Sequence, residues 1–189
     1  MLPIYTKNEE ITDIVNNLLQ NDFGQLIFMP SDRMVHLGLN GDCDQEYCKE
    51  NNIFILYIGR HGGSIVCSKG DVDYFSVGTG VQEANKGMNF LGHLKDYLIS
   101  KGLDAKFDSD GNDILVDGYK VASYGNGLLE ARGKDVFTTG IHVSINIDID
   151  SIKKICQKTM DKIPKALSDF GITTEEIKQL MVEYFNNYE

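Results

Sequence analysis

The chain has 189 residues, 42% of them hydrophobic and 24% charged, enough for one domain with a sizeable core. Its net charge of −10 excludes nucleic-acid binding through a broad basic face, because phosphate contacts need clustered Lys and Arg. The longest apolar runs have strand length, short of the ~20 residues that span a membrane. Residues 1–10 carry no charged-then-apolar leader pattern, so a cytoplasmic protein with no membrane and no nucleic-acid partner is expected.

In chain order, Ile11, Ile14, Val15, Leu18 and Leu19 recur at spacings of three and four and predict a helix over 9–20. Residues 25–29 and 34–39 read as strands, stopped by Pro30 and by the turn dipeptide Asn40-Gly41. A short polar helix over 42–51 precedes an apolar strand over 53–58. A glycine loop follows, then β segments through Ser68 and over 73–77, with Gly70-Asp71 turning between them. Phe90, Leu91, Leu94, Leu98 and Ile99 predict a helix over 83–101, stopped at Gly102. Strands are expected at 103–107, 113–116 and 119–124, the last two joined by the hairpin dipeptide Asp117-Gly118 and the third broken by Gly125-Asn126-Gly127. Over 136–149, His142, Ser144 and Asn146 alternate with Val143, Ile145 and Ile147, which predicts a long strand with one buried face and one face wet or lining a site. The chain turns helical at Ser151, and its last helix opens with a capping-box pattern at Thr173-Thr174-Glu175-Glu176. The order predicts an α+β fold: a mixed, mainly antiparallel sheet flanked by helices, in one domain over 1–189.

Two stretches carry chemistry. In Arg60-His61-Gly62-Gly63-Ser64-Ile65-Val66-Cys67 a strand enters a glycine pair and another leaves it. Such a turn is either a plain hairpin connection or a concave set of N–H groups that holds a phosphate or carboxylate. In Asn112-Asp113-Ile114 to Lys120-Val121-Ala122, a hairpin brings Asp113 and Lys120 together across the ladder, as a cross-strand ion pair or as a carboxylate and point-charge lysine at the mouth of a site. Cys43, Cys48, Cys67 and Cys156 have neither CxxC nor disulfide-framework spacing and read as reduced thiols. His36, His61, His93 and His142 form no HxxxH or HExxH pattern, so no zinc site is expected.

Taken together, Gly62-Gly63-Ser64-Ile65-Val66, Gly70-Asp71 and the Asn112-Asp113 to Lys120 spacing resemble the lipoate–protein ligase A family, of the superfamily of lipoate and biotin protein ligases and octanoyltransferases. The resemblance covers roughly residues 25–189 and includes 35–40 and the closing helix after Gly171. It implies a biotin/lipoate ligase-like catalytic domain without the family's small C-terminal accessory domain. It implies activation of lipoate, octanoate or a similar acid by ATP and Mg2+, and transfer of the acyl group to a lysine of a lipoyl-type acceptor domain, with an accessory ligase subunit as a further partner in some systems. By the same resemblance Lys120 is catalytic. Arg60, His61, Gly62, Gly63, Ser64, Ile65, Val66, Asn112, Val121 and Ala122 border the substrate and adenylate, and Asp113 faces Mg2+. The chain departs from the family pattern at Ile58-Gly59, Ser64, Ala122-Ser123 and Thr139. An ATP-independent octanoyltransferase using a cysteine, and a non-catalytic acyl- or nucleotide-binding relative, are the alternatives.

Overall fold

A computed structural model describes residues 2–18, 20, 24–57, 63–79, 81–131, 134–156 and 162–188. Among these residues, ten strands form two sheets. The large one has the order β1 (Ile4–Tyr5), β2 (Gly24–Phe28), β6 (Val72–Gly78), β10 (Lys134–Val143), β9 (Tyr119–Ala131), β8 (Asp113–Val116), β7 (Ala105–Phe107). All its pairings are antiparallel except β1 with β2. The small sheet places β3 (Met34–Leu37) between β4 (Phe54–Tyr57), parallel, and β5 (Ser64–Cys67), antiparallel. The α+β expectation holds.

Two helices cover one face of the large sheet. In α3 (Val81–Ser100), Phe90, Leu91, Leu94 and Leu98 are wholly buried against Val72, Tyr74, Ile114, Ala122 and Ile141. Each such burial contributes about 2 kcal/mol. The helix approaches closely because residue 87 is glycine: a Cβ there would strike the Tyr124 ring and the Thr139 methyl. In α5 (Thr174–Asn186), Ile177, Met181 and Phe185 are buried, and the Phe185 ring stacks on Tyr74 at 3.7 Å. The opposite sheet face meets the small sheet through Leu26, Phe28, Met34, Cys67 and Phe75, with α1 (Asn8–Asn17) supplying Ile11. Behind the small sheet, α2 (Gln45–Glu50) and α4 (Ile149–Ile155) close a third apolar cluster with Cys43, Cys48 and Ile155.

Several elements start or end a few residues from their expected bounds, and the differences at β9, β10 and α4 have identifiable causes. The return strand does not break at Gly125-Asn126-Gly127: β9 runs on, pairing these with Gly140, Thr139 and Thr138, because a long partner strand satisfies their backbone. β10 ends at Val143 instead of continuing to 149. Asp71 Oδ1 accepts from the Ile145 and Asn146 N–H groups at 2.7 and 3.0 Å and turns the chain away. α4 then starts at Ile149, because Asp148 caps it by accepting from Ser151 N at 3.0 Å.

The capping box of α5 is formed as expected. Thr173 Oγ1 accepts from Glu176 N, and Glu176 Oε2 accepts from Thr173 N at 2.9 Å. Lys101 and Tyr97, at the end of α3, donate to Glu176 Oε1 at 2.7 and 3.0 Å. The Lys101 ammonium, then the Thr173 donors, hold the Glu176 carboxyl down at about 2. This link is therefore intact above the ordinary value of 4.5 and lost as pH falls toward 2. Thr173→Ala is expected to cost about 1 kcal/mol, read as a fall of about 3 °C in the thermal midpoint.

Candidate functional site

Strand register builds the site. Cross-strand pairing aligns Asp73 with His142, His142 with Ser123, and Ser123 with Asp113, one residue on each of four neighbouring strands. Side chains alternate faces along a strand. The neighbours Val72, Tyr74, Ile141, Val143, Ala122 and Ile114 belong to the core under the helices. The polar row therefore faces the small sheet and ends in a cavity of about 250 Å3. Ile65, Val66, Ile147 and Ile152 give that cavity apolar walls, and Ser123, His142 and Ser144 give it a polar back.

A bulge places the lysine. Lys120 and Ser123 are three apart and would point to opposite faces of a regular strand. The register between β8 and β9 shifts after Ile114, so Leu115 pairs with Lys120. The extra residue turns Lys120 to the cavity side, and both residues line the cavity. Lys120 Nζ lies 3.0 Å from Asp113 Oδ1. The segment 162–165 runs beside the start of β9: Lys120 N donates to Ile163 O at 3.0 Å, and Lys165 N donates to Lys120 O at 2.9 Å. This carries Lys162 to the same carboxylate, with its Nζ 2.8 Å from Asp113 Oδ2 and also bonded to Asp108 Oδ2. Asp108 Oδ1 accepts from the Asn112 and Asp113 N–H groups at 3.0 Å each. Burial pushes the Asp108 carboxyl up, but Lys162 and the backbone donors more than offset this and hold it below its ordinary value. The same bonds to Asp108 and Asp113 push the Lys162 ammonium up. Two lysines and two carboxylates thus balance at the cavity mouth.

The back wall is hydrogen-bonded inward. His142 Nδ1 lies 2.7 Å from Asp73 Oδ1 and Nε2 lies 3.0 Å from Ser144 Oγ. Burial disfavours the imidazolium, but the Asp73 and Asp71 carboxylates outweigh it and raise His142. Burial pushes the Asp71 carboxyl up to about 6. Ser123 Oγ is buried with no hydrogen-bond partner among the described residues, so a bound polar group at the back of the cavity can satisfy it.

Of the residues expected from sequence, Lys120, Asp113, Ser64, Ile65 and Val66 come together around this cavity. Ser64 Oγ is engaged with Asp42, accepting from its N–H at 2.8 Å and donating to its carbonyl at 2.5 Å. Gly63 is exposed outside the lining, its carbonyl accepting from Gly38 N at 3.1 Å. Asn112 is exposed and also outside the lining. Val121 and Ala122 are wholly buried in the core cluster under the helices. Arg60, His61 and Gly62 lie outside the described residues. Sequence reasoning missed Lys162, Asp108 and the polar row. The alternation through His142 and Ser144 was the one available signal for the row, whereas nothing local marks Lys162 as a partner of Asp113.

Neither Cys67 nor Cys156 is activated as a nucleophile. Cys67 is wholly buried outside the lining, and burial pushes its thiol well up. Cys156 lines the cavity, but burial raises its thiol too.

The fold has known counterparts. The LipL1 protein of P. falciparum, solved in complex with lipoate, superposes with a TM-score of 0.71 at 18% identity over 100% of this chain. This chain spans 62% of that protein's length. A lipoate-protein ligase A bound with ATP gives a TM-score of 0.70 at 16% identity, covering 97% of this chain and 82% of the other. A bi-partite lipoate protein ligase, described with its E2 lipoyl domain from Thermoplasma acidophilum, gives 0.64 at 15% identity, covering 98% and 82%. At these identities the likeness is one of fold. No curated protein sequence matches the chain. The family model for the lipoyl protein ligase A/B catalytic domain matches residues 6–186, nearly the whole length, and the chain belongs to that family.

Proposed function

We propose that residues 1–189 form a single catalytic domain that activates lipoate or a similar short- or medium-chain acid with ATP to an acyl-adenylate. The acyl group then passes to a lysine of a lipoyl-type acceptor domain. One observation carries this reading: a bulged hairpin and the 162–165 segment bring Lys120 and Lys162 onto Asp113 at the mouth of a cavity with apolar walls. The apolar walls suit an acyl chain. The lysines suit the oxygens that gain and lose charge as the adenylate forms and breaks. In an acidic protein these two ammonium groups, already neutralised by Asp108 and Asp113, exchange carboxylate oxygens for phosphate oxygens when nucleotide enters. An adjoining cavity of about 380 Å3, lined by Tyr119, Ile149, Lys165 and Asp169, shares Ile147 and Pro164 with the first and gives the nucleotide room.

Mg2+ fits in a limited way. Asp113 is the one carboxylate among the described residues that line the first cavity, and both its oxygens face lysines. Mg2+ keeps most of its waters and binds through one or two carboxylates and substrate phosphates. Asp113 would hold it from the protein side, and its chemistry would be charge neutralisation on the triphosphate. By analogy with the bi-partite archaeal lipoate protein ligase, an accessory ligase subunit is a further partner to test.

The test is incubation with lipoate or octanoate, ATP, magnesium and a lipoyl domain, with and without an accessory subunit, read by acceptor mass. Acyl mass that requires ATP and the acceptor lysine is expected. Transfer from octanoyl-carrier protein without ATP, lost in Cys156→Ser, would replace the reading by a thiol acyltransferase. A folded protein that forms neither adenylate nor acylated acceptor would be a binding relative only.

A further inference from the structure

Behind the cavity, the interface between the two sheets holds a cluster that the proposed ligase chemistry does not use. His36 on β3, Cys67 on β5 and Asp73 on β6 are each at most 2% exposed. Their ligand atoms, one per side chain, lie within 4.8 Å of one another. His36 Nε2 is 3.8 Å from Asp73 Oδ2. Imidazole, thiolate and carboxylate on three strands form a donor set suited to a zinc-class ion rather than to Mg2+ or Ca2+, which take oxygen ligands.

The surroundings point the same way. Asp73 divides its oxygens: Oδ1 meets His142 Nδ1 at 2.7 Å, and Oδ2, wholly buried, has no hydrogen-bond partner among the described residues. A carboxylate oriented by a hydrogen bond on one oxygen and free to bind on the other is the arrangement that supports a metal-ligating carboxylate. A divalent ion displaces the Cys67 thiol proton, and the thiolate with the Asp73 carboxylate neutralises its two charges.

We propose that His36, Cys67 and Asp73 bind one zinc-class transition-metal ion between the two sheets. On binding, the Cys67 S–H bond breaks, its proton leaves to solvent, and a sulfur–metal bond forms with no redox change. The ion ties β3 and β5 to β6. Through Asp73, His142 and Ser144 it fixes the back wall of the cavity. Sequence spacing could not show this, because the three residues are separated in the chain and meet only through strand register and sheet packing.

The test uses the full chain, freed of metal by chelation and desalting, titrated with Co2+ alone and then Zn2+, with no ATP or acid present. Saturation at one Co2+ per chain is expected, with visible bands of tetrahedral intensity and a near-ultraviolet thiolate-to-cobalt band that one equivalent of Zn2+ removes. The thiolate band is lost in Cys67→Ser and kept in Cys43→Ser. His36→Asn weakens binding at least tenfold. The thermal midpoint of the wild-type chain rises with one equivalent of Zn2+, a reading that stands even where a variant fails to fold. Folded wild-type protein that binds no Co2+ stoichiometrically, or a thiolate band that survives Cys67→Ser, overturns the site. The readout is spectroscopic, so it succeeds or fails independently of the acyl-transfer assay.

Discussion

Lys120→Ala is expected to lower ATP-dependent acyl transfer by about 10²–10³-fold, the cost of removing one preorganised charge from a developing anion. The fold should survive. The Lys120 side chain is 31% exposed, and its pair with Asp113 resembles a surface ion pair worth about 0–1 kcal/mol. Its backbone bonds to Ile163 and Lys165 do not depend on the side chain. Asp113 keeps Lys162, so no carboxylate is stranded. Lys120→Arg separates charge from shape: the bulge aims a compact ammonium, and the longer planar guanidinium meets phosphate in a different geometry. It should retain nucleotide binding with most of the loss in turnover. Rate constants from single-turnover transfer, beside unchanged thermal midpoints, check this. Wild-type rates in Lys120→Ala would remove the residue from the chemistry.

Why Lys120 was legible from the sequence, and its neighbours were not, follows from range. The Asp117-Gly118 hairpin is local, so the sequence places Asp113 and Lys120 on facing strands without knowledge of the rest. The bulge is local too, but it is a register shift between β8 and β9, which no single-strand pattern reveals. Lys162 reaches the site through a segment distant in sequence, held by backbone bonds to Lys120 that any residue could make. The long helices were legible because Phe90, Leu91, Leu94 and Leu98 repeat along one face. The end of β10 was not, because it is set by the Asp71 carboxylate, which lies just before β6 and far off in sequence. The glycine loop, the most recognisable motif, contributes its exit strand: Ser64, Ile65 and Val66 reach the cavity lining.

Lys162→Met is expected to have the opposite balance, with a large stability cost accompanying the loss of activity. Lys162 bonds to Asp108, whose side chain is 2% exposed, and to Asp113, at 10%. Removing the ammonium leaves the buried Asp108 carboxylate with backbone N–H donors alone, and stranding a buried charge costs about 3 kcal/mol. For a chain of this size that is a fall of about 10 °C in the thermal midpoint. The pH dependence identifies the cause. In the wild type, Asp108 sits below its ordinary value of 3.8, so its stabilising contribution is present above that value and lost as pH falls through the lower folded one. Lys162 sits above its ordinary 10.5, so its contribution is present below that value and lost only as pH rises through the higher folded one. In the variant, burial acts on Asp108 without the ammonium and moves it up, so acidification relieves the variant before it harms the wild type. The gap in urea midpoint should therefore be widest near neutral pH and should narrow on acidification below about pH 5. A gap that stays constant with pH would mean that Lys162 acts through the packing of its aliphatic stem. The charge network at the cavity mouth would then be a consequence of the fold and not a support for it.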